Sequence, residues 1–217
     1  MTMRTDLLIT GFGPFPGVER NPTSGLALTL AVQLRRKGLK TKALVLPTSY
    51  ADGLPLLKER LCTLQPRAVL MLGLAGRSRC VRIEQYGRDD ASPTAPDVGG
   101  KMPPQSQSVR GMPWRSTASL QSALAACHAH GLRARQSPVA GRYLCNAAYA
   151  LALAETAGKG ITVLFVHIPW PRGFRGKRPL CSVAAWRPAV AALVRALIDA
   201  ARTALLRPAR LMKAVPL

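Results

Sequence analysis

The chain has 217 residues, 48% of them hydrophobic, and carries 31 Lys and Arg against 10 Asp and Glu, a net charge of +21. The apolar share excludes disorder as the default state and is enough for one compact domain over residues 1–217, with no linker to divide it. No run approaches the roughly 18 apolar residues of a membrane span, and no signal peptide is expected, because residues 1–6 lead straight into a predicted strand.

In chain order, strands and helices alternate, the pattern of a largely parallel α/β sheet. A first strand is predicted over residues 6–10. It runs into the Gly/Pro-rich loop Gly11-Phe12-Gly13-Pro14-Phe15-Pro16-Gly17, followed by Asn21-Pro22-Thr23. A helix is predicted over 24–37, with Leu26, Leu30 and Leu34 on one face and Gly38 as its stop. A strand over 41–46 is ended by Pro47, and a helical stretch over 54–64 precedes Pro66. Residues 68–72 form a short apolar strand before Gly73. Residues 80–86 alternate Val81 and Ile83 with Arg82 and Glu84, the pattern of a strand carrying Glu84. Residues 87–115 are rich in Pro, Gly and Ser, an irregular stretch long enough for a lid. Ser116 or Thr117 is expected to cap a helix reaching about His130. A helix starting near Cys145, a strand over 161–166 leading to His167, and a last helix over about 182–206 complete the pattern.

Two residues sit where an α/β enzyme places chemistry. Cys145 stands in Gly141-Arg142-Tyr143-Leu144-Cys145-Asn146, at the start of an Ala-rich helical run. Free backbone N–H groups and the positive end of the helix dipole there favour the thiolate, which is the nucleophile. His167 ends an apolar strand, at the carboxyl end that faces the ligand crevice of open α/β sheets. The pair reads as nucleophile and base, and such chemistry needs no metal or cofactor. His128 and His130, beside Cys127, are two apart and do not share a helical face, so no metal site is expected there. The five cysteines (Cys62, Cys80, Cys127, Cys145, Cys181) are scattered and are expected as free thiols in a reducing cytoplasm.

Several separate segments resemble the pyroglutamyl peptidase I (pyrrolidone-carboxylate peptidase) family of cysteine peptidases. The segment from Gly11 to Gly17 with Asn21-Pro22 is similar to the family's Gly-Phe-x-Pro-Phe-x-Gly…Asn-Pro opening. Gly141, Tyr143, Cys145 and Asn146 match its Gly-x-aromatic-x-Cys-Asn motif, and His167, Ile168 and Pro169 its His-Ile-Pro motif. Gly73-Leu74-Ala75-Gly76 followed by Ile83-Glu84 fits the segment that carries its catalytic Glu. The resemblance implies a three-layer α/β/α domain with a twisted, mostly parallel sheet of the phosphorylase/hydrolase-like kind. It implies Cys145 as nucleophile, His167 as base and Glu84 as the residue that orients the imidazole. It further implies Phe12 and Phe15 as walls around a pyroglutamyl ring, backbone groups near Tyr143 and Leu144 on the lactam amide, pyroglutamyl peptides as substrates, and a homo-oligomer, dimer or tetramer. The chain departs from the family pattern at Leu74, where many members have Gln, at Arg77 in place of a second Gly, at 85–89, and at Thr94 where the family has Arg. These departures are expected at the pocket rim and bear on substrate affinity and rate.

Charge points elsewhere. After Asp97 two acids remain, Glu155 and Asp199, against 17 Lys or Arg. Such a surface attracts polyanions by counterion release, without base specificity. Two alternatives to a pyroglutamyl peptidase therefore stay open: an inactive or altered-specificity acyl hydrolase on the same fold, and a basic module for nucleic acid or another polyanion. Aromatic residues make up 5%, which leaves few stacking platforms for single strands.

Overall fold

Near-continuous apolar runs give the central strands two buried faces, and the sheet is accordingly covered on both sides by helices. The computed structural model describes residues 5–88, 96–103 and 113–170. In β1 (Leu7–Phe12) all six residues are buried. Leu7 and Ile9 pack on one side with Leu26, Leu30 and Leu34 of α1 (Pro22–Arg36), while Leu8 and Phe12 pack on the other. The second side is covered by α2 (Tyr50–Leu64) and α4 (Leu144–Thr156), through Leu57, Leu61, Leu144, Ala148 and Tyr149. Helix α3 (Leu120–Ala129) joins α1 on the first side through Ala123 and Cys127. The result is three layers.

The sheet adds β2 (Thr41–Leu46), β3 (Ala68–Leu74), β4 (Val81–Glu84), β7 (Ala134–Ser137) and β8 (Thr162–Ile168), in the order β2-β1-β3-β8-β4-β7. Neighbours are parallel except β4 against β8, which is antiparallel. A separate two-stranded ribbon pairs β5 (Tyr86–Gly87) with β6 (Trp114–Arg115), so the two ends of the 87–115 stretch meet.

Several elements differ from expectation for local reasons. Helix α2 begins at Tyr50 rather than 54, because Ser49 caps it and accepts from Asp52 N at 3.3 Å. Gly53 and Pro55 mask that first turn in the sequence, and Gly53 is needed there: a Cβ would lie 2.4 Å from the Pro47 carbonyl oxygen. The predicted strand over 80–86 is divided at Gln85 into β4 and β5. The cap of α3 is Ser119, not Ser116 or Thr117. Those two hydroxyls instead donate to Val163 O and Ile161 O, each at 3.0 Å, around the start of β8. Strand β7 was not expected, since Ala-Arg-Gln-Ser offers no alternation of apolar residues. Thr94, most of the irregular stretch, Cys181 and the last predicted helix lie outside the described residues.

Candidate active site

Strand parity decides which side chains meet. On β8, Leu164, Val166 and Ile168 enter the core under α1 and α3, whereas Val163 and Phe165 face α2 and α4. His167 shares the parity of Phe165 and stands on the α4 side. On β4, Val81 and Ile83 face α1 and α3, which puts Arg82 and Glu84 on the α4 side too. Because β4 runs antiparallel to β8, Glu84 stands opposite Phe165 and Arg82 opposite His167. The carboxylate therefore reaches diagonally to the imidazole, and Glu84 Oε1 accepts from His167 Nδ1 at 2.8 Å. Glu84 is fully buried and His167 nearly so.

Gly73 stands opposite His167 in the β3–β8 ladder. The imidazole fills the space a side chain would take: a Cβ on Gly73 would lie 2.7 Å from His167 Cδ2 and 2.8 Å from Nε2. The glycine is required here by close approach, not by its backbone angle.

Cys145 is the second residue of α4, and Tyr143 caps that helix without a side-chain bond. The first intrahelical donors are Asn146 N and Ala147 N, both to Tyr143 O, which leaves the Leu144 and Cys145 N–H groups without helical partners. The helix start is held by Asn146, whose side chain accepts from Arg88 N at 2.8 Å and donates to Arg88 O at 2.6 Å. Tyr149, one turn on, donates to the Glu84 carbonyl at 3.2 Å and ties α4 to β4.

The thiol departs from expectation. Burial pushes Cys145 up to about 12, the nearby Glu84 charge adds to the rise, and the helix-start N–H and Arg82 only partly oppose it. Burial likewise holds His167 below its ordinary value, against the upward pull of Glu84. Desolvation therefore acts on the thiol against the helix dipole, and on the imidazole against Glu84. Among the described residues no hydrogen bond joins Cys145 to His167, yet both line one cleft.

That cleft has a volume of about 150 Å³, below the roughly 300–1,000 Å³ of sites for drug-sized ligands. Phe12, Phe15, Leu74, Ala140 and Leu144 form its apolar walls; Asn21, Thr48 and Tyr143 contribute polar atoms beside Cys145 and His167. The aromatic loop is fixed from outside. Asn21 Nδ2 and Thr48 Oγ1 both donate to Gly13 O, at 3.1 and 3.2 Å, and Phe12 N donates to Thr23 Oγ1 at 3.0 Å. Phe12 is also a core residue, 2% exposed and 6.3 Å from the Phe165 ring. Phe15 is half-buried, held in a tight turn by paired bonds with Val18.

All seven residues expected at the site thus come together, Glu84 behind His167 and the other six around the cleft. Leu74 also lines it, as an extra apolar wall, whereas Arg77 is exposed and does not. Sequence reasoning missed Thr48, Ala140 and Arg82. Thr48 had a signal, its place just past the carboxyl end of a predicted parallel strand. Ala140 had none. His128 lies apart from the cleft, with Nε2 3.3 Å from Ala134 O.

The sequence profile of the pyroglutamyl peptidase family matches residues 5–203. The chain is 34% identical to the pyrrolidone-carboxylate peptidase of Streptomyces coelicolor over 170 residues, 76% of this chain and 78% of that protein. It is 30% identical to that of Pyrococcus furiosus over 168 residues, 76% of this chain and 80% of the relative. A solved structure of a mutant pyrrolidone carboxyl peptidase from P. furiosus superposes with a TM-score of 0.75 at 26% identity, covering 90% of this chain and 99% of that one. Pyroglutamyl peptidase I of Bacillus amyloliquefaciens shares the fold at a TM-score of 0.77 and 23% identity, over 92% and 98% of the two chains. A profile matched over nearly the whole chain, with the same fold beneath it, places this chain in the pyroglutamyl peptidase family.

Proposed function

We propose that this chain is a cysteine omega-peptidase, acting as a single catalytic domain that hydrolyses the amide bond after an N-terminal pyroglutamyl residue. The observation that carries the reading is the Glu84–His167 hydrogen bond behind a small aromatic cleft that also holds Cys145. Cys145 attacks the acyl carbon as its proton passes to His167 Nε2, so that thiolate forms during attack rather than before it. Glu84 fixes the tautomer through Nδ1 and stabilises the imidazolium so formed. The orphan N–H groups of Leu144 and Cys145 receive the oxyanion. His167 then protonates the leaving amine, the acyl-enzyme forms, and water attacking under the same base releases pyroglutamate and free Cys145. A neutral lactam suits a cleft with apolar walls and, among the described residues, no carboxylate for a free amine.

The same reading takes the protein as a cytoplasmic homo-oligomer. Free thiols at Cys62, Cys80, Cys127 and Cys145 support a reducing compartment. Among the described residues no helix is long and apolar enough to cross a membrane. Nonspecific polyanion attraction accompanies the +21 charge as a surface trait.

The test is release of a chromophore from a pyroglutamyl amide. Wild type should turn over, and Cys145→Ala should lose turnover while keeping its fold, since one small residue replaces another at a helix start. Substantial activity in purified Cys145→Ala would sink the cysteine mechanism.

A further inference from the structure

We propose that Arg82 is a positioning residue of this site: its guanidinium holds the Glu84 carboxylate against His167 and sets when that pair takes up a proton. The inference rests on the catalytic reading of Cys145, His167 and Glu84 given above. Arg82 is not among the residues that carry the family resemblance; it stands two residues before Glu84, on the same face of β4.

The geometry is a relay of fixed contacts. Arg82 Nη2 forms an ion pair with Glu84 Oε1 at 2.9 Å, and that same oxygen accepts His167 Nδ1 at 2.8 Å. Glu84 has no exposed surface, and its second oxygen, Oε2, has no hydrogen-bond partner among the described residues. Burying a carboxylate charge so completely is costly unless a cation is paired with it. Arg82 is that cation. It is itself held in place, Nη2 donating to Ser137 Oγ at 3.0 Å and Val139 O at 2.9 Å, with Nε donating to Ser137 Oγ at 3.3 Å. The β7 edge strand, which showed no signal in the sequence, thereby fixes a guanidinium that aims a carboxylate at the base.

Among the described residues, the remaining titratable groups on this face leave the role to Arg82. From α4, Cys145 and Tyr149 face the pair, and burial raises both, so neither is charged near neutral pH. From β3 the neighbour is Gly73, and from β8 Phe165, neither titratable. Glu84 pulls the affinity of His167 for a proton up, and Arg82 pulls it down. Without Arg82 the coupled Glu84–His167 pair binds its first proton at higher pH, and His167 is lost as a base over a wider acid range.

The experiment compares wild type, Arg82→Met, Arg82→Lys, Ser137→Ala and Glu84→Gln. Pyroglutamyl-amide hydrolysis is followed across pH, and His167 is titrated by NMR in the Cys145→Ala background. Arg82→Met should lower kcat about tenfold or more with KM within about twofold. It should also raise both the acid limb of kcat/KM and the His167 titration by about one pH unit. Arg82→Lys should recover most of both effects, and Ser137→Ala should move them the same way by less. Should Arg82→Met not fold, Lys and Ser137→Ala carry the test. An unmoved limb and an unmoved His167 titration in the folded variants overturn the proposal, as does a loss of stability with kcat and pH profile intact. If instead wild type hydrolyses nothing, or Glu84→Gln keeps full kcat, the catalytic reading fails, and the His167 titration still decides what Arg82 does.

Discussion

Gly73 offers the sharpest test of how the site is built. A methyl group there would stand 2.7 Å from His167 Cδ2, 2.8 Å from His167 Nε2 and 2.8 Å from Phe165 Cε1, where ordinary contact begins at 3.4 Å. Gly73→Ala therefore demands ring displacement of about 0.6 Å, and the two rings are 0% and 5% exposed, so neither has solvent to move into. Forcing one extra methyl into such packing costs about 1–3 kcal/mol, which for a chain of this size lowers Tm by about 2–12 °C. Nε2 is the atom that takes the thiol proton in the proposed mechanism. A displacement approaching 1 Å at such a group lowers kcat by about ten- to a hundredfold. KM should change little, because Phe12, Phe15 and Leu144 wall the cleft elsewhere. Calorimetry and chromophore release from a pyroglutamyl amide, on the same preparation, read both effects. Wild-type kcat together with wild-type Tm would refute the reasoning. A lower Tm with full kcat would mean that Phe165 alone absorbs the methyl, and that His167 is not held by Gly73.

Glu84→Gln keeps an acceptor for His167 Nδ1 but removes the charge that meets imidazolium 2.8 Å away. The gross Coulomb term is about 6 kcal/mol at an effective dielectric of about 20, offset in part by Arg82, so kcat should fall by about tenfold or more; unchanged kcat would remove Glu84 from the site. Phe15→Ala should raise KM about tenfold through lost apolar contact, independently of salt, whereas any polyanion retention should fall steeply with salt and survive Cys145→Ala. Phe12→Ala should weaken the same substrate but also cost the fold about 3–5 kcal/mol, because Phe12 is a core residue; equal effects of the two on Tm would contradict this division. Alkylation of Cys145 in the free enzyme should rise with pH through a midpoint above 9, and a midpoint near 7 would restore the thiolate expected from the helix dipole. The linked stability has a definite sign. The fold binds the thiol proton more tightly than the unfolded chain, so this contribution is full below about 9 and is lost as pH climbs toward about 12. For His167 the fold binds the proton less tightly, so stability falls as pH drops through about 6.5.

Much of this protein was legible in the chain because its signals are local. Alternating apolar strands and helical stripes gave the α/β class, and β2 was predicted to the residue. Cys145 and His167 were legible because a helix start and a strand end are positions readable from neighbouring residues, and Phe12 and Phe15 because Gly and Pro mark their loop. Tertiary structure decided what depends on residues far apart. Glu84 meets His167 across 83 positions of sequence because β4 runs antiparallel to β8, and no local pattern encodes that direction. The proton affinity of Cys145 is likewise set beyond its own element. A helix dipole is a property of one element, whereas the desolvation that overrides it is imposed by every layer packed around the thiol. Arg82 carried no assigned role in the sequence; Ser137 of β7, itself without a sequence signal, and Val139 just beyond it hold its guanidinium. Local pattern follows from a residue's own chemistry and its near neighbours; proton affinity and reach follow from what the finished fold excludes from water.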